Sequence, residues 1–289
     1  MIGVAAAALE FPRDPDAVRW EPLRRLAAIT ALKHLPDGGY SLGHWWRGPV
    51  LYALVQHYRP RHVLEIGTGR GYGAVCMAQA AVDAGFECTV WTIDALSPDA
   101  IQSWALDEGD GPSVRPLSVR AVWNRHVPAP IAARVRWLTG DSASILRRWR
   151  HEGQPRVQLA FIDAGHDLAS VRQDFIGALR IADPRCTFVF DDYTERPGYG
   201  VREVVDRDVR PKMPPDAVVE VDALAWDVLA DGRRTHHGLA VLRGEYLPAP
   251  SPAVFYAPTA LVAARLRRAA SRLVRAGRRT AARVLRRRR

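Results

Sequence analysis

Apolar residues come in short runs along this chain, and the runs stop abruptly at an acid or a glycine. "HVLEIGTG", "CTVWTIDA", "VRWLTGD", "LAFIDAGH" and "CTFVFDDY" all have that form. Their length and their β-branched or aromatic content predict strands. Between them, apolar residues fall three and four apart. "DLASVRQDFIGALRIA" at 167–182 and "GVREVVDRDV" at 200–209 therefore predict helices. "WWRGPVLYALVQHY" predicts another before the first strand, and a helix is expected over about 73–84. Strands alternating with helices imply parallel βαβ units. Residues 217–244 break the alternation, with strand-like runs on either side of Asp231-Gly232 and no helix of ordinary length between them. The expected fold is α/β: a doubly wound, mostly parallel seven-stranded sheet with an antiparallel edge.

Two stretches lie outside this pattern. Residues 1–42 are rich in Pro and Arg with weak helical spacing, and 97–134 are polar, Pro-containing and partly helical. Three parts follow: an N-terminal helical cap (1–42), the sheet domain (43–247), and a Pro-containing linker with an Arg-rich tail (248–289). The net charge of +10 belongs to that tail, because residues 258–289 hold twelve arginines and no acid, leaving the rest near −2. In the tail, Val262, Leu266, Ala269, Leu273 and Ala276 share one helical face flanked by arginines. That suits an anionic membrane surface or nucleic-acid phosphates, and a solvated tail equally. Cys76, Cys88 and Cys186 show no ligand spacing, which points to a reducing, cytoplasmic setting, peripheral at a membrane only through the tail. No basic segment precedes the short N-terminal apolar run, so a signal peptide is not expected. A homo-oligomer is compatible with all of this.

In doubly wound sheets ligands bind beyond the carboxyl ends of the strands. Here those ends carry Glu65, Asp94, Asp141, Asp163 and Asp191-Asp192. After the first strand, Gly67, Gly69, Gly71 and Gly73 fall at every second position. Glycines there let the backbone take positive φ and approach a ligand closely. A dinucleotide fingerprint fits poorly, since Tyr72 stands where its third glycine belongs. Glu65 would also oppose a pyrophosphate. A ligand with a positive end suits the acid better, and S-adenosylmethionine (SAM) carries an ammonium and a sulfonium. "VLEIGTGRGYG" resembles the first motif of class I SAM-dependent methyltransferases, which have a Rossmann-like fold. The resemblance implies that Glu65, Gly67, Gly69 and Gly71 line the methionine part, that Asp94 accepts from the ribose hydroxyls, and that Asp141 and Ser142 lie near the adenine. Helix capping is the alternative for Asp141-Ser142.

The next two strand exits bring Asp163, His166, Asp191 and Asp192. Three carboxylates so close hold protons unless a cation neutralises them. Oxygen ligands suit Mg²⁺. Such an ion lowers the pKa of an acceptor hydroxyl, and an imidazole such as His166 can then take its proton. Asp167 is expected to cap the following helix. "FIDAGHDLASVRQDF" and "FVFDDY…PGYGVREVVD" together resemble the metal-dependent O-methyltransferases that act on sugars of macrolide and aminocoumarin antibiotics. That resemblance implies Mg²⁺ on Asp163, Asp191 and Asp192, His166 as general base, and a hydroxyl of a sugar or glycosylated natural product as acceptor. Two alternatives stay open: a metal-independent methyltransferase of another acceptor class, and a non-catalytic SAM-fold module that binds RNA or membrane through the tail. Trp45, Trp46 and Trp123 are expected in the core, with an acceptor pocket as their other use.

Overall fold

The computed structural model describes residues 21–42, 45–228 and 234–257. The tail reading at 258–289 and most of the N-terminal cap lie outside the described residues. Two compact units are distinguished, residues 1–250 and 251–289. In the second, the described residues form a short helix, α9 (Pro252–Phe255), capped by Ser251.

Among its described residues the first unit begins with α1 (Glu21–Thr30), a two-residue-strand hairpin of β1 (Lys33–His34) and β2 (Tyr40–Ser41), and α2 (Arg47–Tyr58). Then come β3 (His62–Ile66), α3 (Tyr72–Asp83) and β4 (Thr89–Asp94). A second hairpin, β5 (Gln102–Asp107) and β6 (Pro112–Leu117), leads to α4 (Val119–His126) and α5 (Ala129–Ala132). Next are β7 (Val135–Thr139), α6 (Ser142–Arg148), β8 (Val157–Ile162), α7 (Leu168–Ile181) and β9 (Ala182–Tyr193). A helical turn, α8 (Val201–Glu203), widens into a π turn over Val204–Val209, and β10 (Val218–Val228) and β11 (Arg234–Leu242) close the sheet.

The seven-stranded sheet has the order β10-β11-β9-β8-β3-β4-β7. β9, β8, β3, β4 and β7 run parallel, as the alternation of strand and helix predicts. The antiparallel strand is β11, which pairs with β10 on one side and β9 on the other. The antiparallel pairing therefore occupies the expected side of the sheet, with β11 one place in from the edge. Central strands are buried on both faces, which is why they read as continuous apolar runs. Glu65 is the exception in β3, at 1% exposure.

Two features differ from the sequence expectation. Residues 97–134, read as polar and partly helical, contain the β5–β6 hairpin. Trp104, Ala105 and Leu106 on it are buried, and the Trp104 indole donates to the Ile29 carbonyl of α1 at 2.8 Å. The turn residues and Pro112 and Pro116 dilute the apolar signal that a paired ribbon needs no helix to bury. Residues 33–41 likewise form a hairpin where only helices were expected. Meanwhile α1 joins the main core through Leu23, Leu26, Ala27 and Ile29. No described helix is long and apolar enough to cross a membrane.

Candidate active site

Three of the glycines after β3 are left-handed: Gly67 at φ 97°, Gly69 at 53° and Gly71 at 87°. They are glycines for different reasons. A Cβ on Gly67 would lie 2.0 Å from the Asp163 carbonyl oxygen, because the exits of β3 and β8 run side by side. A Cβ on Gly71 would lie 2.3 Å from the Trp123 ring. A Cβ on Gly69 would meet nothing within 4 Å. Internal packing thus accounts for Gly67 and Gly71, and the turn is open at Gly69. The Gly69 N–H donates to Asp94 Oδ2 at 2.9 Å, and Asp94 Oδ1 accepts from Leu96 N–H at 2.8 Å. Asp94 therefore stands beside the open side of the turn, its two carboxylate oxygens accepting from backbone N–H groups.

Glu65 is placed differently from the expectation that it lines the ligand. Its carboxyl lies beneath the turn, accepting a short hydrogen bond from Thr92, which in turn contacts Thr68 at 2.5 Å. A Cβ on Gly73 would come within 2.3 Å of Glu65 Oε1, so the first turn of α3 rests on this carboxyl. Burial pushes its pKa up to about 8, against the Thr92 hydrogen bond and the pull of Arg47. Glu65 braces the turn from below.

The β7 exit is tied to the β4 exit by the Gly140 N–H, which donates to the Asp94 carbonyl at 2.7 Å. That brings Asp141 next to Asp94 along the sheet edge. Its carboxylate caps α6, accepting from Ser144 N–H at 3.0 Å and Ser144 Oγ at 2.7 Å. Ser142 Oγ donates to Asp174 Oδ1 of α7 at 2.6 Å, so it points to the neighbouring helix. Trp46 and Trp123 are buried at 8% and 4% exposure, in the core as expected, although Trp123 also supports the turn by donating to the Arg70 carbonyl.

Parallel pairing of β8 with β9 brings Asp163 alongside Asp191 and Asp192. The cation between them comes from the chain itself. Arg47, the first residue of α2, places one guanidinium nitrogen 2.9 Å from Asp163 Oδ2 and closer still to Asp191 Oδ2. Burial holds the Asp163 carboxyl well above the usual carboxylate range; Arg47 pulls it down, and Asp191 and Asp192 push it up. The guanidinium is held charged by Asp163 and Asp191 in spite of its burial.

Asp192 turns away from this pair. Its backbone is left-handed at φ 53°, a strained setting for a non-glycine residue and one that re-aims a side chain. Oδ2 lies 2.9 Å from His166 Nδ1, and Oδ1 lies 3.2 Å from His237 Nδ1 of β11. Burial opposes ionisation of Asp192, but hydrogen bonds from the two histidines override it and hold the carboxyl below its usual range. The same hydrogen bond raises the pKa of His166. Tyr199 stacks on the His166 ring at 4.8 Å and 8° and meets His237 edge-on at 5.9 Å. Asp167 caps α7, accepting from the Ala169 and Ser170 N–H groups, both at 3.1 Å.

The donor set expected for Mg²⁺ is thus arranged otherwise. Asp163 and Asp191 converge on a guanidinium, and Asp192 faces two imidazoles. Among the described residues no group of three His, Cys, Asp or Glu side chains stands ready to hold a metal ion. Sequence reasoning missed Arg47, His237 and Lys33, which lies on β1 near enough for its charge to interact with all three acids. The available signal for Arg47 was a lone cation in the apolar run "WWRGPVLYALV"; for His237, an imidazole in "RTHHGLAVL", inside a predicted strand.

Residues 64–193 match a family model described as a methyltransferase domain. That stretch of the chain is thus similar to a methyltransferase domain, and the glycine turn, Asp94, His166 and all three acids lie inside it. Solved structures of similar fold include the O-methyltransferase TomG from Streptomyces achromogenes, involved in tomaymycin synthesis and in complex with SAM. It is 21% identical, with 82% of this chain and 93% of that one covered and a TM-score of 0.47. An O-methyltransferase from Bacillus cereus in complex with SAH is also 21% identical, covering 83% and 96%, with a TM-score of 0.48. A putative O-methyltransferase from Klebsiella pneumoniae is 19% identical, covering 82% and 92%, with a TM-score of 0.45. At such identities and scores these neighbours say nothing about the acceptor. No curated protein sequence matches.

Proposed function

We propose that this chain is a SAM-dependent O-methyltransferase acting on a hydroxyl of a small molecule, a sugar or glycosylated natural product, with His166 as general base. The observation that carries the reading is the His166–Asp192 pair at 2.9 Å, one strand away from a glycine turn with open space at Gly69. The acceptor class rests on the resemblance of the two segments around DAGH and DDY.

SAM, when bound, supplies a methyl group already activated by its sulfonium. The protein then has to position and deprotonate. Asp192 engages Nδ1 of His166, which leaves Nε2 as the nitrogen that meets a substrate and fixes the tautomer with a proton on Nδ1. Nε2 of His166 would take the proton of the acceptor hydroxyl as that oxygen is methylated. Asp192 stabilises the resulting imidazolium, and His237 keeps Asp192 aimed at it. Positioning the acceptor oxygen against the methyl group would add to the acceleration. The Mg²⁺ expected on Asp163, Asp191 and Asp192 would have to displace Arg47, which pairs with the oxygens of Asp163 and Asp191.

The test is transfer of labelled methyl from SAM to a panel of glycosides and phenols, following S-adenosylhomocysteine release. Turnover on a hydroxyl acceptor that collapses in His166→Ala is the expected result. Absence of S-adenosylhomocysteine binding, or turnover untouched by His166→Ala, refutes the reading.

A further inference from the structure

Three carboxylates at adjacent strand ends hold protons or take a cation, and which cation fits is a question of geometry. Arg47 meets Asp163 and Asp191 with the same nitrogen. It does so from a fixed backbone. The next residue, Gly48, packs so closely that a Cβ there would lie 2.3 Å from Tyr72 Oη and 2.7 Å from Cys76 Sγ. Tyr72 Oη in turn donates to the Trp45 carbonyl at 2.6 Å, and Trp46 is buried. The backbone around Arg47 is thus held against α3, and its side chain reaches the two acids from there. Its Nε is buried with no hydrogen-bond partner among the described residues, and the charged end is held by its ion pairs with Asp163 and Asp191. The third acid, Asp192, is engaged by His166 and His237.

A divalent ion needs the same Asp163 and Asp191 oxygens at about 2.1 Å. There it would sit within a few ångström of a fixed positive charge in a partly buried site, where repulsion is weakly screened. Guanidinium and ion cannot both occupy the gap.

We propose that Arg47 is the resident cation of this site. It takes the place between Asp163 and Asp191 that a divalent ion would hold, and it is a positioning residue that keeps the floor of the site ordered beside His166. Methyl transfer then proceeds without a metal, a consequence that rests on the methyltransferase reading above; the occupancy of the gap does not.

Mn²⁺ titration of the full chain, read by electron paramagnetic resonance, tests the occupancy without any turnover. Wild type is expected to show no saturable binding up to millimolar Mn²⁺. Arg47→Met removes the charge while keeping much of the volume, and is expected to bind Mn²⁺ at least tenfold more tightly than wild type. Adding Asp163→Asn to that variant should abolish the gain. Arg47→Lys, which keeps a cation, should exclude Mn²⁺ as wild type does. Saturable wild-type binding that Asp163→Asn removes overturns the proposal, and so does a folded Arg47→Met variant with no gain. Should Arg47→Met fail to fold, the wild-type and Asp163→Asn titrations decide: saturable binding lost in Asp163→Asn refutes the proposal, and its absence upholds it. A protein that passes these titrations yet transfers no methyl group would refute the proposed function and leave Arg47's placement standing.

Discussion

Alanine at Gly67 and at Gly69 should separate folding from binding within one turn. Both residues are left-handed, so each alanine costs about 1–2 kcal/mol in backbone strain. They differ in what the new methyl meets. At Gly67 it would lie 2.0 Å from the Asp163 carbonyl oxygen and 2.8 Å from Ala164 Cα, both backbone. Neither can swing aside as a side chain would, so the β3 and β8 exits must move apart, adding about 1–3 kcal/mol. The sum, about 2–5 kcal/mol, corresponds to a fall of roughly 4–20 °C in Tm for a unit of this size. At Gly69 the methyl meets nothing within 4 Å, and the loss of stability should stop at the strain, roughly 2–8 °C. If a ligand fills that space, the same methyl overpacks the complex and weakens binding by about 5- to 150-fold, the equivalent of about 1–3 kcal/mol. Thermal unfolding followed by circular dichroism measures the first effect, and calorimetric titration with S-adenosylhomocysteine the second. Wild-type affinity in Gly69→Ala would remove that residue from the ligand site. Wild-type Tm in Gly67→Ala would refute the packing argument for the turn.

Further outcomes follow from the same geometry. His166→Ala should lower kcat by about 10² to 10⁴ with S-adenosylhomocysteine affinity unchanged; because the Asp192 hydrogen bond raises the imidazole pKa and a base must be unprotonated, the wild-type rate should rise with pH, and Asp192→Asn should move that limb to lower pH. Glu65 has its pKa pushed up to about 8 by burial, so its contribution to stability is full below about 4.3, the unfolded value, and is lost as pH rises through about 8; urea unfolding from pH 5 to 9 should show Glu65→Gln losing less stability with pH than wild type. Ser142→Ala should leave S-adenosylhomocysteine affinity unchanged and cost about 1 kcal/mol in urea unfolding, because its hydroxyl donates to Asp174; a clear loss of affinity would restore Ser142 to the adenine site.

The parallel sheet was legible from the sequence because its signal is local. Each buried strand is a continuous apolar run, each crossover helix carries its own periodicity, and acids or glycines mark the exits. From that alone the ends of β3, β4, β7, β8 and β9 could be placed on one sheet edge, with Gly69, Asp94, Asp163, His166, Asp191 and Asp192 among them. What each residue does there depended on its neighbours in space. Glu65 and Gly67 belong to the same run as Gly69, yet one turns under α3 and the other packs on the Asp163 backbone, distinctions that arise only when β3, β4 and β8 lie together. The cation for the acids comes from 116 residues before Asp163, and the second histidine on Asp192 from 45 residues after it. No local pattern encodes such pairings, because a charge in a sequence carries no direction. The sequence determined that acids would gather at one edge; only the packing of α2 on α3 and the insertion of β11 beside β9 decided that an arginine and two histidines would answer them.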